Sequence, residues 1–300
     1  MPPSERTSAP ADSRRKIWAE YGMDSYDALV VGGSAAGLSA ALILGRSGRR
    51  TLVCDDGRPR NAAARAVHGF LTREGVEPHE LLRLAREDVA RYPSVTVRDV
   101  HVASAKPYEE GFVISAGGNA ATFGRTLLLA AGMYDDLPQI AGLDRFWGRA
   151  AFSCPYCDAW EFRNKRIAVI GEPGRGRELA AVLEQWSDDV WICEESSVAR
   201  IDGSDVPEIV GYDGSRRTSD AIFVSAPLRL RHPLIDQLGL QVRGDGEIEV
   251  DECGRTSIPG CYAAGDAVTT AHQLMLASAS GIRAAMAINE DLPVRSSGPD

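Results

Sequence analysis

The sequence lacks the features that mark several large protein classes. No run of about 18 apolar residues occurs, so no transmembrane helix is predicted. Acidic residues outnumber basic ones by 42 to 33, and the net charge of −9 argues against a general hold on nucleic acid. Six cysteines in 300 residues are too few for a secreted disulfide framework. The chain is otherwise 44 % hydrophobic, which suffices for the core of a globular protein.

The first 24 residues are polar and rich in proline and serine. They lack the apolar segment that a signal peptide needs. We therefore expect a mobile tail over residues 1–24, and a cytoplasmic protein that does not bind membranes.

The folded part of the chain is predicted to open with a strand–helix–strand unit. An apolar run over residues 27–31 predicts a buried strand, and helical spacing of apolar residues follows at 38–48. Between them stands the sequence GGSAAG, and a second strand is predicted over 50–56. A glycine-rich turn between a strand and a helix is typical of dinucleotide-binding folds.

The residues of this turn match the needs of a phosphate site. Glycine permits a tight turn, the close approach of a diphosphate and the packing of helix on strand. Gly32 and Gly37 fill the first and third of these positions, and Ser34 holds the middle one. Asp55 ends the second strand, where an acid accepts hydrogen bonds from a ribose hydroxyl. We predict a nucleotide site; a turn without a ligand is the alternative.

A second unit of the same kind follows in the middle of the chain. Gly171 and Glu194 are 23 residues apart, as are Gly32 and Asp55, so we expect an internal duplication of a dinucleotide-binding half. Its predicted strand, turn, helix and strand are residues 165–171, 172–177, 178–187 and 189–195.

This order predicts an α/β fold with two Rossmann-like, three-layer dinucleotide-binding domains, the second inserted in the first and degenerate. A last helix is predicted over residues 271–292 and is expected to pack back on the first domain. The predicted tail, first part of the outer dinucleotide-binding domain, inserted domain and second part of the outer domain are residues 1–24, 25–148, 149–240 and 241–300.

Cys154 and Cys157 form the one CxxC pair of the chain. Such a pair can close a disulfide across one helical turn. A zinc half-site and two inert thiols are the alternatives, but no second CxxC or nearby histidine cluster completes a metal site, so we expect a redox pair and no metal. Asp158 follows directly and could shuttle protons during thiol–disulfide exchange, or else be a solvated loop acid or a helix cap.

Near the C-terminal end, AAGDA at 263–267 could hydrogen-bond a ribitol or a phosphate. His272 begins the last helix and lies either on the surface or near a bound ring. The other histidines are expected to be solvated or loop residues without a role: His68, His79, His101 and His232.

In this order the motifs resemble the low-molecular-weight thioredoxin-reductase-like flavoproteins over residues 26–292. VVGGSAAGLSAA is similar to the FAD fingerprint of that family, SCPYCDAWEFRNKRIAVIG to its redox dithiol and TSIPGCYAAGDA to its second FAD motif. The resemblance implies a homodimer in which Cys157 faces the flavin, Cys154 exchanges with substrate and Asp158 transfers protons. The residues expected to bind FAD are Gly32, Gly33, Ser34, Ala36, Gly37, Asp55, Asn61, Gly265, Asp266 and Gln273.

The chain departs from that family at its second turn. Pro173 replaces a glycine of the diphosphate site and removes a backbone N–H group. Glu194 and Glu195 stand where a basic cluster holds the 2′-phosphate of NADPH. Too little chain separates Glu194 from the strand predicted over 221–227, so we expect further strands to be lost there.

These losses resemble the dithiol oxidases of the gliotoxin and holomycin type, many of which have a histidine directly after the CxxC, where this chain has Asp158. The expected activity is oxidation of a small-molecule or peptide dithiol, with O2 as acceptor and H2O2 as product. One alternative is an NAD(P)H-dependent disulfide reductase, for which Glu194 favours NADH, with a ferredoxin-fed variant. Another is a non-catalytic flavin-binding redox sensor.

Overall fold

The computed structural model describes residues 24–117, 121–230, 232–244 and 246–293. Most of the predicted tail lies outside these residues. The strands within them are β1 (Asp24–Val31), β2 (Thr51–Asp55), β3 (Val95–Asp99), β4 (Val102–Tyr108), β5 (Gly111–Ala116), β6 (Ala121–Leu129), β7 (Met133–Asp135), β8 (Ala151–Phe152), β9 (Ile167–Gly171), β10 (Val190–Glu194), β11 (Val198–Asp202), β12 (Glu208–Gly211), β13 (Arg216–Thr218), β14 (Ala221–Val224), β15 (Leu228–Leu230) and β16 (Cys261–Ala263). The helices are α1 (Ala35–Arg46), α2 (Pro78–Ala90), α3 (Leu143–Phe146), α4 (Pro155–Asp158), α5 (Pro173–Leu183), α6 (Leu234–Leu238) and α7 (Leu274–Asp291). None of the helices described is long and apolar enough to cross a membrane.

The first sheet has its strands in the order β3-β2-β1-β6-β5-β4. Strands β1, β2, β3 and β6 run parallel, whereas β4 and β5 pair antiparallel. β6 is long enough to take two neighbours along one edge, because its first half pairs with β5 and its second half with β16. The second half is the buried run Leu127–Leu129, as expected for a parallel strand covered on both faces.

Helices α1 and α7 pack against each other through small residues. A Cβ on Gly281 would lie 2.1 Å from the carbonyl oxygen of Ala36, so only glycine allows this approach of the two backbones. The buried Ala40, Ala284 and Ala285 belong to the same apolar cluster. The prediction that the last helix packs back on the first domain is confirmed.

The inserted unit repeats the strand–helix–strand arrangement. Strands β10, β9, β14 and β8 form a parallel sheet in that order, and α5 connects β9 to β10. Between β10 and β14, strands β11, β12 and β13 form a separate antiparallel sheet. The prediction that strands are lost there is therefore wrong, because strands of only three to five residues fit in the available chain.

The two hydrophobic cores also divide the chain at other points than the predicted boundaries. Leu143 and Phe146 precede residue 149 but pack in the core of the inserted unit. Leu234 and Leu238 precede residue 240 but pack in the core of the first domain. The antiparallel pair of β7 and β15 lies between the two units, so the insertion runs from the end of β7 to the start of β15. Apolar periodicity marks buried residues but not which core receives them.

Three local predictions also change. The sequence EPGRGR is a turn only at Glu172, because α5 begins at Pro173, where the missing N–H group costs the helix nothing. The sequence VTVRDVHVASAKP over residues 95–107 predicts a strand, which the structure divides into β3 and β4 around Val100. Asp24, assigned to the tail, begins β1.

Candidate functional site

The glycine turn after β1 makes very close backbone contacts. Gly32 has a φ of +106°, and a Cβ there would lie 2.2 Å from the carbonyl oxygen of Ala130. A Cβ on Gly33 would lie 2.6 Å from the Cβ of Asp55. On Gly37 it would lie 1.9 Å from the carbonyl oxygen of Gly32. Gly32 therefore permits the tight turn, Gly33 leaves access to the acid open, and Gly37 allows the helix to pack on the strand.

The N-terminal end of α1 faces the same space. Ser34 precedes the helix and makes no side-chain capping hydrogen bond. Ser34, Ala35 and Ala36 line the cavity described below. The first N–H groups of a helix lack partners within it and attract anions. The turn can therefore receive a diphosphate.

Asp55 is buried at the end of β2 and has two hydrogen-bond donors. Arg86 of α2 donates to Oδ2 at 2.5 Å, and the backbone N–H of Gly57 donates to Oδ1 at 3.3 Å. Arg86 also donates to Asp99 at 2.7 Å. The arginine fixes the carboxylate and balances its charge, while Oδ1 keeps capacity for a ribose hydroxyl. Arg86 was not identified from the sequence.

Arg60 is a second cation that the sequence reasoning missed. Its guanidinium donates to Asp135 at 2.8 and 2.9 Å, to Ser153 at 3.3 Å and to Asp266 at 3.4 Å. Burial acts to lower the pKa of Arg60, but the bonds to Asp135 and Asp266 raise it overall. Arg60 thereby ties the loop after β2 to the glycine–aspartate turn and to the residue before Cys154.

Cys154 and Cys157 are joined by a disulfide across the short helix α4, which follows β8. The Nε2 atom of Gln273 donates towards both sulfurs, at 3.5 Å to Cys154 and 3.4 Å to Cys157. Tyr156, between the two cysteines, is 71 % exposed, so an aromatic ring stands beside the disulfide at the surface. The bonded sulfurs favour the redox interpretation over the zinc half-site.

Asp158 follows the disulfide and is partly buried. Burial raises its pKa to about 7, while the charge of His68 acts in the opposite direction and that of Glu161 adds to the rise. A carboxyl group with this pKa can accept or release a proton near neutral pH. Its environment favours proton transfer over the solvated loop acid.

One cavity brings almost all of the predicted site residues together. It encloses about 1760 Å³ of empty space, part of it open to solvent. Gly265 has a φ of +83°, and a Cβ there would lie 3.0 Å from that of Ala36, so the second motif closely approaches the first. Gly37 alone among the predicted residues lies outside, beneath the turn. The predicted residues that line it are Gly32, Gly33, Ser34, Ala36, Asp55, Asn61, Cys154, Cys157, Asp158, Gly265, Asp266 and Gln273.

Three histidines that the sequence left without a role also line this cavity. His101 and His232 stack with ring centroids 5.4 Å apart, and burial lowers the pKa of His232 to about 4. His68 lies on the wall that carries the disulfide and Asp158. His79 on α2 and His101 are exposed, and His68 and His232 lie in loops, as expected of solvated or loop residues. No sequence pattern marks the three, because the packing of loops positions them.

His272 lies in the cavity and not on the surface, which were its two predicted positions. Its Nδ1 atom is buried without a hydrogen-bond partner among the described residues, 3.9 Å from Oδ1 of Asp266. Burial lowers its pKa. With the uncapped end of α1 and the acid Asp55, this unpaired nitrogen gives the cavity groups for a diphosphate, a ribose and a polar ring. These residues fit FAD.

The second glycine turn, after β9, is built differently. A Cβ on Gly174 would meet no atom within 4 Å, and Pro173 has no N–H group to offer. Glu194 and Glu195 are exposed beside it. No residue of this turn lines the cavity of the disulfide.

Two nucleotide-type units, a cavity with FAD-binding groups and a disulfide in its wall define a flavin-dependent thiol–disulfide oxidoreductase. The model of the pyridine nucleotide-disulphide oxidoreductase family matches residues 26–197 and 186–281, so the chain belongs to this family. Its thioredoxin-reductase-like members are FAD-binding flavoproteins, and FAD is the cofactor of this chain.

Comparison with similar proteins indicates to which branch of the family this chain is similar. A probable thioredoxin reductase of Arthroderma benhamiae is 29 % identical over 89 % of this chain and 80 % of its own. Thioredoxin reductase tcpT of Claviceps purpurea is 29 % identical over 80 % and 86 %. The crystal structure of HlmI has a TM-score of 0.83 at 30 % identity and covers 90 % of this chain and 92 % of its own. The expected resemblance to the gliotoxin and holomycin branch is confirmed.

Proposed function

We propose that the protein is a dithiol oxidase that converts a small-molecule or peptide dithiol into a disulfide, with O2 as the final electron acceptor. The difference between the two glycine turns carries this proposal. The first turn opens on Asp55 and lines the same cavity as the disulfide. The second has a proline and exposed acids where a nicotinamide nucleotide would be held. Electrons then enter from the thiol substrate.

Thiol–disulfide exchange at the CxxC pair moves two electrons from the substrate to the protein in two steps. A thiolate of the substrate attacks the Sγ atom of Cys154, the bond between Cys154 and Cys157 breaks, and Cys157 leaves as a thiolate. The second substrate thiolate attacks the substrate sulfur of this mixed disulfide and releases Cys154 as a thiolate. The substrate loses two electrons and two protons, and the CxxC pair gains the two electrons.

The surrounding residues bind and move protons. Asp158, with its pKa of about 7, accepts a proton from a substrate thiol. FAD, when bound, supplies the acceptor for the electron pair, which O2 takes up to give H2O2. The turn residues Gly32 to Ala36, Asp55, Asn61 and the 265–266 turn would hold FAD, and Gln273 orients the disulfide through its amide group.

An anaerobic titration of the purified flavoprotein tests the proposal. Dithiothreitol should bleach the flavin absorbance, and air should restore it with formation of H2O2. Rapid bleaching by NADPH or NADH at micromolar concentration would contradict a dithiol oxidase.

A nicotinamide-dependent disulfide reductase is the second candidate. It is favoured by strands β11, β12 and β13, whose presence removes the short inserted unit as an argument for the oxidase. Glu194 suits the free 2′-hydroxyl of NADH. In this case NADH bleaches the flavin faster than dithiothreitol does.

A Cys154→Ser variant separates both enzymes from a flavin-binding redox sensor. An enzyme loses turnover and keeps its flavin, because the serine lies in the cavity wall without closing it. A sensor has no turnover in the parent protein. Cys253→Ser, which changes a free thiol outside the cavity, is the matched control.

The homodimer implied by the resemblance is part of the proposal. It is supported by apolar side chains on one side of α7 that are 43 %, 37 % and 52 % exposed, namely Met275, Ile282 and Met286. Light scattering should give twice the chain mass, and Ile282→Asp should give a monomer. A parent protein of single-chain mass would contradict it.

A cytoplasmic location also remains a proposal. Four thiols are free outside the CxxC pair, which suits a reducing compartment: Cys54, Cys193, Cys253 and Cys261. Fluorescence microscopy of a tagged protein tests it.

A further inference from the structure

The loop between β2 and α2 brings a histidine to the disulfide. A bridge between Val67 and Val76 closes this part of the loop, with the N–H of Val67 donating to Val76 at 2.7 Å and that of Gly75 donating to Val67 at 2.8 Å. His68 directly follows the bridge and lines the cavity together with Cys157. The backbone bonds therefore fix the loop that places His68 in the wall of the cavity that also contains the CxxC pair.

Glu74 fixes the orientation of this imidazole. Its Oε1 atom lies 2.6 Å from Nδ1 of His68, and its Oε2 atom accepts the backbone N–H of Gly69 at 2.9 Å. The bond with His68 holds the pKa of Glu74 below its ordinary value, so the carboxylate is the acceptor and Nδ1 carries the hydrogen. The Nε2 atom is left with a lone pair that can take a proton.

The free nitrogen points towards the acids that follow the disulfide. Nε2 of His68 lies 3.8 Å from Oε1 of Glu161. The charges of both His68 and Glu161 act on the carboxyl group of Asp158. The titratable groups that face the imidazole are thus Glu74 from its own loop, and Asp158 and Glu161 from the segment after the CxxC.

We propose that His68 is the proton partner of Asp158 during thiol–disulfide exchange. Each substrate dithiol releases two protons, whereas one carboxylate accepts one. His68 takes the proton from Asp158 at Nε2, becomes an imidazolium between Glu74 and Glu161, and passes the proton to solvent along these exposed acids. His68 acts through Asp158, because it restores the carboxylate of Asp158 for the next proton, and it is therefore a positioning residue. The inference deepens the function proposed above and rests on its thiol exchange.

The test compares His68→Gln with the parent holoenzyme. Anaerobic stopped-flow reduction of the flavin by dithiothreitol is followed from pH 5.5 to 9.5. We expect the variant to be about 10²-fold slower near pH 7 and to approach the parent at pH 9.5, where the substrate thiols ionise unaided. Glu74→Gln should show the same pH pattern with a loss of roughly tenfold. His79→Gln, which changes an exposed histidine outside the cavity, should match the parent.

Two results would overturn the role of His68. One is a rate equal to that of the parent throughout. The other is a slowing by the same factor at every pH, which is the signature of a structural defect. Flavin content and thermal stability of each variant show whether it folds.

Failure of the proposed oxidase gives a different result, because NADH then bleaches the parent flavin faster than dithiothreitol does. The same variants are in that case compared with NADH and oxidised dithiothreitol. His68 then returns the proton. At each pH the rate loss of a variant in this assay is expected to equal the loss predicted for reduction by dithiothreitol at that pH, because a proton relay changes the forward and reverse rates equally. An unchanged rate in this assay also overturns the inference.

Discussion

The two strand–turn–helix units of this chain have the same spacing and differ in how closely their turns are packed. In the first, added Cβ atoms would overlap Ala130, Asp55 and Gly32. In the second, a Cβ on Gly171 would lie 2.8 Å from that of Ser225, but Gly174 has open space around it and the helix begins with a proline. Glycine spacing alone therefore does not identify a nucleotide site. Close backbone approach around Gly33 and a buried acid distinguish the first turn from the second.

The largest expected effect comes from adding one methyl group to each turn. Gly33→Ala should weaken FAD binding by at least about 2.7 kcal/mol, a factor of one hundred, because its Cβ would overlap Asp55. Gly174→Ala should keep full flavin and gain up to about 1 kcal/mol of stability, since its Cβ meets nothing and glycine is costly within a helix. Flavin stoichiometry after dialysis and thermal unfolding measure both. Equal flavin loss in the two variants would break the comparison.

The next largest effect is expected on stability, when Asp158 in the cavity wall and Glu194 beside the second turn each lose their carboxyl group. Because burial raises the pKa of Asp158 to about 7, the folded protein loses stability as the pH rises from about 4 to 7 and regains none above. Asp158→Asn should therefore stabilise the protein by about 2 kcal/mol at pH 8, and by less at pH 5. Exposed Glu194→Gln should change neither value. Denaturant unfolding at the two pH values measures the free energy of unfolding of each variant. If Asp158→Asn stabilised the protein equally at both, the pKa of Asp158 would not be raised.

A smaller effect is expected from the cations beside the two turns. Arg86→Met leaves the buried Asp55 without its charged partner, so FAD should bind about tenfold more weakly, or about 1.4 kcal/mol. Arg175→Met removes an exposed cation from α5 and should leave FAD affinity unchanged. Fluorescence titration of the apoprotein with FAD measures both. Unchanged affinity in Arg86→Met would mean that Asp55 needs no fixed orientation.

The smallest effect concerns two cysteines at equivalent positions, each before the acid that ends the second strand of its unit. Burial raises the pKa of both Cys54 and Cys193 to about 11. Cys54 is 2 % exposed, so Cys54→Ser should cost about 1 kcal/mol through a buried hydroxyl, and Cys193→Ser less. Chemical denaturation measures both. A larger cost at Cys193 would contradict the tighter packing of the first unit.

The sequence predicted the parts of the site that depend on local geometry. Glycine positions, the terminal acid and the CxxC spacing are short-range constraints, and the residues that they select line one cavity, apart from Gly37. Asn61 and Gln273, which also line it, followed only from the resemblance to a family. Arg60 and Arg86 were missed because their partners lie far along the chain, at Asp135 and Asp55. The domain boundaries failed for a similar reason, since α6 and α3 are apolar segments whose cores are chosen by tertiary packing.

The pairing of β16 with the outer edge of β6 has a consequence for synthesis on the ribosome. The inserted unit is continuous in sequence and can complete its core as soon as it emerges. The first domain cannot, because its last strand and the helix that covers α1 come from residues 261–291. During translation the small-residue face of α1, which ends at Arg46, stays uncovered until α7 begins at Leu274, while about 230 further residues are added at roughly 5–20 per second. Newly made chains therefore depend on rapid completion, and truncations near the C-terminal end should aggregate even when the inserted unit is intact.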